Sequence, residues 1–223
     1  MEKLMKFTDF VRDALLPEIK KAGVGPFGMA YAPAEMNGKD ADAPIDLFLI
    51  IPYKSLREFL VLRDKLCSEA ALAAKFMEYK KDFSSKDPGY DSAESMLLKN
   101  FKMMPEVEVP TLSEDRIMQL RYYRSFDEER NAAKISMFEE GGELELFRKY
   151  GMNPVFFGEA VFGTFLPNLT YMISFANQEA KDAGWKAFVE SPEWAVLSKD
   201  PLYADTATNI LNYNLRPCKG SEI

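Results

Sequence analysis

The sequence predicts an α+β chain of two tandem ferredoxin-like βαββαβ units whose antiparallel sheets pack face to face. Three observations carry this prediction. Blocks of sequence recur in order along the chain. Each copy alternates helix-period and strand-period patterns in one sequence of elements. The hairpin strands are apolar on both faces, as in YGMNPVFFGEAVFGTFLPNLTYMISF from Tyr150 to Phe175, and burial on both faces requires a covering layer beyond the helices.

The recurrence is ordered. KFTDF at Lys6–Phe10 aligns with KISMF at Lys134–Phe138, and GVGP at Gly23–Pro26 aligns with GMNP at Gly151–Pro154, at one common offset. Leu16 and Leu144, and Lys21 and Lys149, fall at that same offset. Further on, FLII at Phe48–Ile51 meets YMIS at Tyr171–Ser174, and Ser68 meets Ser191, at an offset five residues shorter. The change falls in a hairpin loop, where the first copy carries the polar PAEMNGKDADAP. Loops tolerate such insertions.

Each copy carries a first helix. Phe7, Val11, Leu15 and Ile19 are spaced by four and give the first an apolar face. Its counterpart over 127–150 carries Ile135, Phe138, Leu144 and Phe147, and Gly141-Gly142 bends or splits it. Gly23 and Gly151 mark the helix ends, and Pro26 and Pro154 prevent continuation. Two strands follow, 27–31 with 46–51 and 155–162 with 169–175. A second helix comes next, with a capping box at Ser55-Leu-Arg-Glu58 in the first copy and Asn177 as cap in the second. It breaks at Ser191-Pro192-Glu193. A last strand closes each copy, 95–102 and 208–215. The second copy also opens with a strand, RIMQLRYYR at 116–124.

The expected organisation is a first repeat at 1–105, a linker at 106–115, a second repeat at 116–217 and a tail at 218–223. The first repeat lacks its opening strand, because the chain begins inside the helix. A misassigned start or a lost leader with the strand would explain that. As the sequence stands the expected location is the cytoplasm, since MEKLMKFTDFVRDALLPEIKK has acidic residues and no continuous apolar core of a signal peptide.

Composition narrows the chemistry. The 223 residues are 47% hydrophobic and 28% charged, ordinary for a globular protein. The net charge of −7 and the absence of a Lys/Arg-rich run exclude a nucleic-acid footprint. No run approaches the ~18 apolar residues of a membrane span. Cys67 and Cys218 are far apart, so neither a disulfide framework nor a zinc site is indicated. The chain has no histidine, which removes the commonest general base, the usual haem ligand and the Ser-His-Asp and Cys-His arrangements. Gly141-Gly142 is neither a dinucleotide fingerprint nor a phosphate loop, and no cofactor is expected.

Several blocks carry a family resemblance: Asn131-Ala-Ala-Lys-Ile-Ser-Met-Phe138, Gly142-Glu-Leu-Glu-Leu-Phe147, Pro154-Val-Phe-Phe-Gly-Glu159, Leu166-Pro-Asn-Leu-Thr-Tyr-Met172 and Glu193-Trp194. The closing Tyr203-Ala-Asp-Thr206, Asn209-Ile210 and Leu215-Arg-Pro217 continue the series. Together, over roughly 116–217, they resemble the NIPSNAP family, a branch of the dimeric α+β barrel superfamily. The resemblance implies a tandem barrel, bacterial in this form, with an internal pseudo-dimer and room for a further homodimer. The family's animal members are linked to mitochondria and to protein–protein roles, and no catalytic residue set comes with the resemblance.

One polar cluster stands out. Arg121 and Tyr123 share a strand face with Gln119, Glu159 lies among apolar residues of the next strand, and Tyr171 is on the third. Convergence inside the barrel would suit a small acidic or phenolic ligand, with Arg121 as fixed charge, the tyrosines as hydrogen-bond donors and Glu159 as a base. In the alternative, Arg121 and Glu159 form a structural pair and the tyrosines fill the core. Asn168-Leu-Thr170 fits a glycosylation sequon, but Pro167-Asn168 reads first as a turn. Trp185, Phe188 and Trp194 read as core residues of the second helix, and Asp127-Glu-Glu129 as a favourable helix start. Three functions remain: a binding or assembly barrel, which is favoured; a cofactor-independent monooxygenase or isomerase of small aromatic or acidic molecules; and a haem-handling barrel, disfavoured without histidine.

Overall fold

The computed structural model describes residues 2–39 and 45–223. Residues 40–44, the distal part of the inserted loop, lie outside them. The chain is α+β with antiparallel pairing and divides into two units.

The first unit comprises residues 1–35, 39–93 and 217–223. Its opening helical run is α1 (Glu2–Phe10), a π-helical segment (Val11–Leu15) and α2 (Leu16–Lys21). The four-residue spacing puts Val11 and Ile19 in the core with Phe27 and Met29. Gly23 ends the run at φ 77°. The Val24 amide donates to the Ile19 carbonyl and the Gly23 amide to the Lys20 carbonyl, a Schellman closure. Strands β1 (Gly28–Tyr31) and β2 (Leu47–Ile50) pair antiparallel. Helix α3 (Leu56–Ser68) starts where Ser55 Oγ accepts from the Glu58 amide at 3.1 Å, while Glu58 reaches back to the Lys54 amide. Helix α4 (Ala70–Lys80) follows.

The tail belongs to this unit. The Cys218 and Glu222 amides donate to the Met29 and Phe27 carbonyls, both at 2.8 Å. Ser221 Oγ and Glu222 Oε2 accept from the Met29 and Phe27 amides. The side of β1 away from β2 is thereby hydrogen-bonded by the tail.

The second unit comprises residues 36–38 and 94–216. Its elements are β3 (Leu97–Asn100), β4 (Ile117–Arg124), α5 (Glu128–Glu139), α6 (Glu143–Lys149), β5 (Asn153–Phe162), β6 (Asn168–Phe175), α7 (Gln178–Val189), α8 (Pro192–Leu197) and β7 (Asn209–Pro217). The strand order β7-β4-β6-β5 is that of a ferredoxin-like unit, with β3 added beside β5. The caps sit where the sequence places them. Asp127, Asn177 and Ser191 accept from the amides of Arg130, Ala180 and Trp194. Gly142, at φ 81°, separates α5 from α6, and Gly151 repeats the Schellman closure of Gly23.

Two placements differ from the expectation. The strand over 95–102, expected to close the first repeat, is β3 and pairs with β5 of the second unit, Lys99 opposite Glu159 and Asn100 opposite Gly158. Gly158 permits the approach, because a Cβ there would stand 2.9 Å from Leu98 Cβ. The 106–115 segment, expected as a linker, packs in the same unit: the Glu108 amide donates to the Val155 carbonyl and its carboxylate takes two bonds from Arg148.

All eight residues of β6 are buried, the polar Asn168, Thr170 and Ser174 together with the apolar ones. On the helix-covered face the core is aromatic. Phe138, Phe147, Phe157, Tyr171 and Phe188 interlock, with the Phe157 and Tyr171 rings stacked at 4.5 Å and 2°. Each such side chain contributes about 1.5–3 kcal/mol through burial.

Candidate functional site

Alternation along β4 sends Gln119, Arg121 and Tyr123 to one face. Arg121 lies opposite Tyr171 of β6 on one side and Asn212 of β7 on the other. Its guanidinium carbon is 4.6 Å from the Trp185 ring centroid and 5.3 Å from that of Tyr123. Rings attract the cation through their quadrupoles. Arg121 Nε is buried and has no hydrogen-bond partner.

The tyrosines meet through their hydroxyls, Tyr123 and Tyr171 at 3.1 Å. Burial pushes both phenols up, Tyr171 well above its ordinary value, so both are neutral. Above them lies a pair that the sequence reading missed. Lys134 Nζ of α5 donates to Glu143 Oε2 of α6 at 2.7 Å, and both residues are buried. The ammonium also sits 4.5 Å from the Phe138 ring centroid. Burial pushes the Glu143 carboxyl up, and Lys134 and Arg121 pull it back. The signal was available: Lys134 lies one turn before Phe138 on the face that packs inward.

The cluster lies between the sheet and the helices, since α5 and α7 supply Phe138 and Trp185 to it. The odd-numbered positions of β4 turn toward the helices. Arg121, Tyr123 and Tyr171 come together. Glu159 stands apart, half-buried near the end of β5 with Leu169 and Lys99 as strand neighbours, and no ion pair joins it to Arg121 among the described residues. Asn168 is buried, with its amide on the Thr164 carbonyl and its oxygen accepting from Thr170, which is the turn role.

At the margin facing β7 the polar groups continue. Trp185 Nε1 donates to Gln119 Oε1 at 2.8 Å. Asn214 Oδ1 accepts from Lys181 Nζ at 3.0 Å and from Gln119 Nε2 at 3.3 Å. Among the described residues no cluster of His, Cys, Asp and Glu has the makings of a metal site, and no helix is long and apolar enough to cross a membrane.

Residues 118–221 match the model of the NIPSNAP family. No functionally curated protein matches the chain. Among solved structures, an uncharacterized NIPSNAP-like domain protein from Burkholderia xenovorans aligns at 15% identity and TM-score 0.43, over 49% of this chain and 91% of its own. The crystal structure of a "putative monooxygenase" from Lactobacillus acidophilus NCFM aligns at 10% identity and TM-score 0.55, over 94% of this chain and 86% of its own. At that identity the second likeness speaks for the fold alone.

Proposed function

We propose, from the premise that residues 118–221 form a NIPSNAP domain, that this chain works by binding and assembly rather than by established catalysis. One observation carries the reading. The groups that acid–base chemistry would use are engaged within the core: Tyr171 is fully buried, bonded to Tyr123 and stacked flat on Phe157, and Glu143 is held by Lys134. A neutral phenol sealed from solvent neither takes nor delivers a proton to an incoming molecule. The recurrence of sequence blocks, read as two related halves, is compatible with the same reading.

The alternative is a cofactor-independent monooxygenase or isomerase acting on a small aromatic or acidic molecule. The fold likeness to the Lactobacillus acidophilus protein is the observation that favours it. It would need an open cavity beside Tyr171, where Phe157 and Phe147 now pack.

Native mass spectrometry of gently purified protein tests the choice. The binding reading expects a defined oligomer, bare or carrying an unaltered small molecule. Release of an oxygenated or rearranged product after incubation with a small phenol or aromatic acid would contradict it and favour the alternative.

A further inference from the structure

We propose that the polar margin between α7 and strands β4 and β7 binds the carboxylate of a small organic acid, with Arg121 as its anchor and Lys181 as the second cation. This rests on the binding reading and names the class of ligand for it.

The charge inventory comes first. Lys134 is bonded to Glu143, which also attracts Arg121 from further off, so two cations share one carboxylate, and neither Arg121 nor Lys181 makes an ion pair among the described residues. Asp182, the nearest carboxylate in sequence to Lys181, accepts instead from Gln178 Nε2 at 2.7 Å. An unbalanced cation in a partly desolvated place is costly, and an anion relieves it. The two ring faces around Arg121 offset part of that cost without supplying a countercharge.

Donor geometry comes second. Arg121 Nε is unpartnered but buried, so a carboxylate would meet the half-buried guanidinium through its planar fork, which matches it in two parallel bonds. Lys181 spends one of its three donors on Asn214 Oδ1. The oxygen of Gln119 is taken by Trp185 and that of Asn214 by Lys181 and the Gln119 amide, so the margin presents cations more than acceptors.

Access comes third. Arg121, Lys181 and Trp185 are half-buried, and Asn212, the strand neighbour of Arg121, is exposed. Tyr171, by contrast, is sealed. The cluster therefore offers a reachable charged margin and a closed phenolic interior. Trp185 beside Arg121 provides a flat apolar wall, which favours a planar acid over a bare inorganic anion.

Sodium benzoate is the probe, titrated against sodium chloride at matched ionic strength. Trp194→Phe leaves Trp185 as the one indole reporter. The expected result is a saturable change in Trp185 emission and a rise in the wild-type melting temperature with benzoate, and neither with chloride. Arg121→Gln should weaken binding by about tenfold or more, the worth of a charged hydrogen bond. Lys181→Gln, at a more exposed position, should weaken it by a smaller factor while the protein melts as wild type. Glu159→Gln should bind as wild type. No saturable response, a response equal to that of chloride, or an undiminished one in Lys181→Gln overturns the site. Binding of inorganic phosphate without benzoate overturns the carboxylate assignment. Those failures leave assembly through other surfaces standing, whereas release of an oxygenated or rearranged product after incubation with a small phenol or aromatic acid removes the binding reading itself.

Discussion

Replacing Lys134 with methionine isolates the buried pair at the centre of the second unit. The two charges stand 2.7 Å apart. With an effective dielectric constant near 20 their attraction is about 6 kcal/mol. Desolvation costs several kcal/mol for each ion, so the intact pair nearly breaks even against apolar residues of similar size. Removing one partner does not break even. Lys134→Met keeps the thickness of the side chain but leaves the Glu143 carboxylate buried beside Phe138 and Tyr123, a loss of about 3–5 kcal/mol. Arg121 still attracts Glu143, which places the expected loss toward the lower end. For a chain of this size each kcal/mol moves the melting temperature by ~2–4 °C, so the midpoint should fall by roughly 6–12 °C. The double variant Lys134→Met/Glu143→Leu should return close to wild type.

The pH dependence has a definite sign. Burial holds the folded-state pKa of Glu143 above its ordinary value of 4.5. The folded state therefore keeps a proton that the unfolded state has lost, and stability falls as pH rises from that value through the raised one. Without Lys134 the pKa climbs further, so the deficit of Lys134→Met should be small in mild acid and full at neutral pH. Urea melts followed by circular dichroism across that range measure both effects. A single variant within about 1 kcal/mol of wild type, or a double variant as weak as the single, would refute the reasoning.

Three further outcomes follow from the same geometry. Tyr171→Phe and Tyr123→Phe each remove one half of a buried hydroxyl pair and should cost about 1–2 kcal/mol, while the double variant costs less than their sum, read from a double-mutant cycle in urea. Asn177→Ala deletes the cap of α7 and should lower stability by about 1 kcal/mol, seen as an earlier thermal midpoint. Gly158→Ala pushes a methyl group against Leu98. It should cost about 1–3 kcal/mol and speed amide exchange in β3 more than in β6.

Local signals were legible in the sequence because they act over a few residues. The glycine closures at Gly23 and Gly151, the caps at Ser55, Asn177 and Ser191, and the split at Gly141-Gly142 each depend on backbone conformation that neighbouring residues impose. The double-sided burial of the hairpin was legible for a different reason, as Val155, Phe156 and Phe157 of β5 put apolar side chains on both faces. What the sequence hid was partner choice. Strand β3 satisfies its backbone on β5, and the repeat offset says nothing about which edge a closing strand will find. Arg121 and Glu159 looked like a pair because both are isolated charges among apolar residues. They are placed apart by register, with Glu159 near the end of β5 and Arg121 opposite Tyr171. The carboxylate that does lie near Arg121 is Glu143, at the first turn of α6, where an acidic residue reads as an ordinary helix start.

The central claim is that the Arg121, Tyr123 and Tyr171 cluster binds and supports rather than reacts. Its most direct test is oxygen uptake and product formation by the wild-type protein over a panel of phenols and small aromatic acids, in parallel with Tyr171→Phe. The account predicts no turnover by either protein. Turnover by the wild type that Tyr171→Phe abolishes, with the fold intact, would contradict it and place a reactive phenol where the structure shows a packed one.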